Sequence, residues 1–220
     1  MMYFLHGALG SAAQFNAIQP LIQGTALDFP GHGRKTVTEP FSLRLFAQLV
    51  LDEINASGED QVEIFGYSMG GYVALYLAAH FPERIRSVIT LGTKLEWSPE
   101  VAAGMNRMFD PEKIEAKVPA FAAVLAETHV DWKAVCRETA AFLEVLGNGG
   151  GLTDADFGRI QCPVVIGWGD QDHVVTEAES RRVAGLIPQG KLEILPDVKH
   201  VFEQNDPESI KIFVDRVSKG

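Results

Sequence analysis

Ser68 lies in "FGYSMGG" (65–71), among Gly66, Gly70 and Gly71. Before it, Val62-Glu63-Ile64 is short and β-prone; after it, "YVALYLAAHF" (72–81) is long and helix-prone. A serine at that junction sits on a sharp strand-to-helix turn, its hydroxyl held out beyond the carboxyl end of the strand. The glycines leave room for the chain to reverse there. The first N–H groups of the following helix point to the same spot, where they would stabilise a developing negative charge. This is the setting of a nucleophile. A serine hydroxyl is weakly nucleophilic and needs a base. His200 follows the β-prone run "KLEIL" (191–195) and precedes the last helical stretch, which also brings it to a carboxyl edge. A carboxylate must then orient the imidazole, and "GWGDQDHVV" (167–175) offers Asp170 and Asp172. Serine, then acid, then histidine is a known chain order for such a triad.

These side chains need a scaffold that collects strand ends. Short apolar runs recur at "MYFL" (2–5), "TALDF" (25–29), "VEIF" (62–65), "SVITL" (87–91), "PVVIGW" (163–168) and "KLEIL" (191–195). Several lack polar alternation, as suits strands covered on both faces. Helical stretches fall between them, at about 12–23, 42–56, 70–81 and 176–187, with a last one at 206–218. The alternation predicts an α/β fold with a mainly parallel sheet, whose carboxyl edge carries the chemistry. One connection is abnormal. From Gly92 to Ile160 no strand pattern occurs, only helical segments opened by Ser98-Pro99 and Asp110-Pro111 and closed by "GNGGG" (147–151). Residues 95–155 are therefore expected to form a helical lid inserted into a core of residues 1–94 and 156–220.

The assembled motifs resemble the α/β-hydrolase superfamily. "FLHG" (4–7) resembles its His-Gly turn, "DFPGHG" (28–33) its Asp-x-Pro-Gly-His-Gly segment, and "GYSMGG" its nucleophile elbow. "WGDQDHVV" resembles its acid loop and "VKHVFEQNDPE" its histidine loop. The resemblance implies Ser68 as nucleophile, His200 as base, Asp172 as acid, and the backbone N–H groups of Ala8 and Met69 as the oxyanion hole. His6 and Gly7 would shape the loop that carries Ala8. Many members have two antiparallel strands before the His-Gly strand. Here that strand begins at residue 2, so about six mostly parallel strands are expected, with the lid after the fourth. Candidate substrate contacts are His6 and Tyr67 beside the turns, Trp97, Met105 and Phe109 in the lid, and His129 before Asp131-Trp132. Most lid aromatics and methionines, including Met108, Phe121, Trp132 and Phe142, are expected to pack the lid itself.

The expected function is a serine hydrolase that cleaves a small ester, thioester or amide through an acyl-enzyme, most simply a carboxylesterase. Such chemistry needs neither cofactor nor metal. One alternative is a C–C or elimination lyase of the menaquinone-synthase type, which "LHGALGS" and "GYSMGG" also resemble. Members of that family tend to place an arginine after the elbow glycines, where this chain has Tyr72. Another alternative is a non-catalytic small-molecule receptor. Dehalogenase or epoxide-hydrolase chemistry would need an aspartate at position 68.

The remaining features are read as structural. His32 and its glycines suit a turn, Asp28 a loop brace, and His80 a helix end. The chain has 220 residues, is 46% hydrophobic and carries a net charge of −10, which disfavours nucleic acid and anionic membranes as partners and says nothing about a small-molecule substrate, the partner the site implies. Its start carries no signal-peptide pattern, and no apolar run is long enough to span a membrane. Cys136 and Cys162 have neither metal nor disulfide-framework spacing, and are read as reduced thiols of a cytoplasmic protein. Oligomeric state is not legible.

Overall fold

A computed structural model describes residues 1–218. Six strands form one sheet: β1 (Met2–Leu5), β2 (Thr25–Leu27), β3 (Val62–Tyr67), β4 (Ile85–Leu91), β5 (Val164–Gln171) and β6 (Gly190–Lys199). Their order is β2-β1-β3-β4-β5-β6, and every neighbouring pair is parallel. The expected sheet of about six strands is present, with no antiparallel pair among the described residues. The order reverses beside β1, so the loops after β1 and β3 lie next to each other at the carboxyl edge, where α/β sheets bind ligands.

Helices cover both faces. On one side lie α1 (Leu43–Ser57), α2 (Met69–His80) and α8 (Glu177–Leu186). On the other lie the turns after β1 and α9 (Pro207–Ser218). Strand residues alternate between the two cores, with Tyr3, Leu5 and Ile64 in the first and Phe4, Phe65 and Ile89 in the second. Ser42 caps α1 by accepting from the Leu45 N–H at 3.1 Å, and Gly58 ends it at φ +74°. In α2 the residues from Met69 to Leu75 are all buried, because the helix is covered all round.

Between β4 and β5 the chain forms α3 (Pro99–Asn106), α4 (Pro111–Lys117), α5 (Pro119–Thr128), α6 (Trp132–Val145) and α7 (Asp154–Arg159), with no strand among them. Ser98 and Asp110 cap α3 and α4 as their spacing predicts, accepting from Val101 and Lys113. The middle stretch is two helices rather than one, because Pro119 has no N–H to continue the ladder and opens α5. The "GNGGG" segment ends α6 and turns back, with Gly149 at φ +91°.

One expectation fails. Residues 12–23 form no α-helix, only a short 3₁₀ turn (Ala12–Phe15) followed by further turns. The Ile18 and Leu21 N–H groups reach back three residues, to Phe15 and Ile18. Pro20 cannot donate within this stretch. The turn also has another task, since Asp28 accepts from the Ala12 N–H at 2.6 Å. Asp28 thus braces this loop.

Candidate active site

Ser68 stands between β3 and α2 at φ +50°, a conformation that costs a non-glycine residue about 1–3 kcal/mol. The surroundings enforce it. Its N–H donates to the Leu91 carbonyl of β4 at 2.9 Å, and its own carbonyl accepts from the Thr93 hydroxyl at 3.1 Å. A methyl group on Gly66 would come within 2.5 Å of Gly71, and one on Gly70 would strike the Leu5 carbonyl of β1. The turn therefore tolerates no side chain at either glycine, and Ser68 is fixed while its side chain stays accessible.

His200 follows β6. Its Nδ1 lies 2.8 Å from Asp172 Oδ2, and the Asp172 side chain is 2% exposed. A carboxylate there keeps the proton on Nδ1, so Nε2 is free to accept one. The other oxygen, Asp172 Oδ1, accepts from the N–H groups of Val174 at 2.7 Å and Val175 at 2.9 Å. Burial alone would raise the carboxyl's pKa. The bond and charge of His200 and the two backbone donors outweigh it and hold the group below its ordinary value. Asp170 faces away. It is exposed, and accepts from the Asp197 N–H at 2.8 Å, where Asp197 has φ +58°. Tyr67 fixes the histidine loop from behind by donating its hydroxyl to the His200 carbonyl at 2.6 Å.

The loop after β1 carries Ala8. It is closed by the Gly10 N–H donating to Gly7 at 3.0 Å, and Gln14 accepts from the Gly7 N–H at 3.0 Å. Leu9 sits in it at φ +56°. Ala8, Met69, Ser68 and His200 all line one cavity of about 820 Å³. Of the proposed substrate contacts, Tyr67, Trp97, Met105 and Phe109 line it too.

His6 and His129 do not. His6 is fully buried behind the loop, accepting on Nε2 from the Phe29 N–H at 3.2 Å and donating from Nδ1 to the Gly7 carbonyl at 2.8 Å. Both nitrogens are used, and burial pushes its pKa down to about 3. His129 is 2% exposed and ties the insertion to the core. Its Nδ1 accepts from the Gly33 N–H at 3.0 Å, and its Nε2 donates to the Leu9 carbonyl at 2.9 Å. The partners lie 96 and 120 residues away, so no local pattern could have exposed this role. Sequence reading also passed over Gln14, Lys94 and Glu203, which line the cavity as well. Lys94 is paired with buried Glu179 at 2.6 Å, and Gln14 donates to Glu203 at 2.8 Å.

The sheet order and the elbow define an α/β-hydrolase, and the comparison with known proteins agrees. The chain belongs to the alpha/beta hydrolase family, whose model matches residues 2–210. Among its relatives is the pimeloyl-(acyl-carrier protein) methyl ester esterase of Neisseria meningitidis serogroup C, 35% identical over 91 residues. That match covers 40% of this chain and 34% of the esterase, so the aligned part spans about a third of that relative. The 3-oxoadipate enol-lactonase 2 of Acinetobacter baylyi is 27% identical over 214 residues, covering 87% of this chain and 77% of the lactonase. Among solved structures, NosK from Streptomyces actuosus superposes with a TM-score of 0.84 over 99% of this chain and 96% of its own, at 20% identity. That likeness speaks for the fold. Among the described residues, no helix is long and apolar enough to cross a membrane.

Proposed function

We propose that the protein is a serine hydrolase that cleaves a small ester, thioester or amide through an acyl-enzyme on Ser68. One observation carries the reading: strained Ser68 shares a cavity with His200, whose Nδ1 is held at 2.8 Å by a buried carboxylate. His200 Nε2 takes the Ser68 proton as Oγ bonds to the carbonyl carbon. The carbonyl π pair moves onto oxygen, and the N–H groups of Ala8 and Met69 stabilise that oxyanion. Its collapse breaks the bond to the alcohol, thiol or amine, which leaves with the proton from His200. Water repeats the sequence, giving its proton to His200 and its oxygen to the acyl group. The names of the two relatives, a methyl ester esterase and an enol-lactonase, support acyl transfer from an oxygen ester.

The segment between β4 and β5 acts as a lid, a reading supported by Trp97, Met105 and Phe109, which line the cavity that holds Ser68. A cytoplasmic setting suits the two cysteines. Both are buried free thiols, and burial pushes Cys136 up to about 12 and Cys162 to about 11.

The lyase alternative loses support at Tyr72. This residue is buried, and its hydroxyl accepts from the Leu152 N–H at 2.7 Å, so no cation stands after the elbow glycines. Turnover of p-nitrophenyl acetate separates a hydrolase from a receptor. The wild type should turn over, and Ser68→Ala should lower kcat by about 10³-fold or more in a folded protein. A Ser68→Ala variant that keeps wild-type kcat would overturn the proposal.

A further inference from the structure

Among the described residues ten large hydrophobic side chains are notably exposed, and half of them, Met108, Val118, Phe121, Val124 and Val201, line the cavity of Ser68. Each is between 43% and 55% exposed. Scattered apolar residues on a surface need no explanation, but a cluster continuous with a pocket marks a binding surface. Deeper in, the wall is also apolar, formed by Leu9, Met105, Phe109, Leu125, Phe142 and Leu143. The apolar lining therefore extends from Val201, beside His200, onto residues of the segment between β4 and β5.

The charges along this path point the same way. Lys94 is the one lysine or arginine among the lining residues, and buried Glu179 neutralises it at 2.6 Å. Glu203 adds an acidic group to the lining. A substrate with a carboxylate at its far end would find no free cation here and would leave its charge poorly solvated. An uncharged chain meets only favourable burial.

We infer that the acyl group of the natural substrate is an uncharged aliphatic chain of medium length, about eight carbons or more, whose far end runs along Phe121 and Val124. The inference rests on the serine-hydrolase reading and narrows its substrate class. The cavity of about 820 Å³ lies within the range of pockets that enclose a whole small ligand.

The test is a chain-length series of p-nitrophenyl esters, from acetate to decanoate, measured below their micelle concentrations. Full burial of a methylene raises kcat/KM by about fourfold per carbon, so even partial burial of the roughly six extra methylenes should place octanoate at least about tenfold above acetate. In a second arm, methyl octanoate should exceed monomethyl suberate, the same chain ending in a carboxylate, by at least about tenfold. Phe121→Asn with Val124→Asn alters two exposed positions and should leave the fold intact. It should lower the octanoate-to-acetate ratio at least about threefold. A flat series with good acetate turnover would overturn the chain assignment and leave the hydrolase reading standing. So would a preference for the suberate, or a ratio unchanged in the double variant. No turnover of any ester, with no acyl group on Ser68, would overturn both.

Discussion

At the residue scale, the site depends on which carboxylate meets His200. The sequence offered Asp170 and Asp172 two positions apart, and spacing alone left both open. The fold separates them: Asp172 is buried against the imidazole, and Asp170 is exposed and braces Asp197. Asp172→Asn should lower kcat by about 10²- to 10⁴-fold with the far-UV circular dichroism unchanged, since an amide no longer stabilises the imidazolium that forms. Asp170→Asn should keep wild-type kcat and lose at most about 1 kcal/mol of stability in urea, the worth of one exposed backbone contact. The reverse pattern of kcat losses would reassign the acid. The positions of Ser68 and His200 beyond strand ends were legible because each follows a strand-like run. Two candidate contacts, both histidines, lie outside the cavity lining. His6 and His129 look chemically able in sequence, yet both ring nitrogens of each are consumed by backbone groups.

At the element scale, the loop after β1 and the corner between α5 and α6 are held together by His129. His129→Phe keeps a ring of similar size but leaves the Gly33 N–H and the Leu9 carbonyl unpaired. It should cost about 2–4 kcal/mol in urea denaturation. Because Leu9 adjoins Ala8, kcat should fall more than KM changes; a stable variant with normal kcat would show that the tie is dispensable. His129 also belongs to a buried histidine group. His6 and His32 lie 4.9 Å apart between ring centres, and His32 and His129 5.7 Å. Burial lowers the pKa of all three, His6 to about 3. The folded protein holds them neutral to lower pH than the unfolded chain, which binds protons below the ordinary histidine value of 6.5. Stability is therefore full above that value and is lost as pH falls, by up to about 1.4 kcal/mol per pH unit for each histidine. Asp172 and Asp156 are lowered carboxyls, whose contribution is lost only below the usual 3.8. The urea midpoint should thus drop clearly between pH 7 and pH 5; an unchanged midpoint would contradict the neutral-histidine account. None of this was legible locally. Helix caps were, because Ser98 and Asp110 act within three residues of themselves. The stretch 12–23 was misread because its apolar spacing suits a helix while Pro20 and the brace from Asp28 favour turns.

At the scale of the whole molecule, the sheet was legible for a simple reason. Strands buried on both faces are written as nearly unbroken apolar runs, and the six runs correspond to the six strands. The strandless stretch after β4 was visible as a gap in that rhythm, and its helices fill the gap. The direction each insertion side chain faces was not legible. It depends on how α3 to α6 pack together and against the core, a long-range matter that periodicity cannot report. Sheet, elbow and insertion together support one central claim, that Ser68 carries the acyl group. The most direct test is mass spectrometry of the wild-type enzyme quenched with acid during the first turnovers of p-nitrophenyl acetate, whose good leaving group favours acylation over deacylation. The account predicts a mass gain of one acetyl group, localised to the peptide containing Ser68 and missing in Ser68→Ala. Steady ester turnover with the acetyl group on another residue, or with no adduct under any quench, would contradict it.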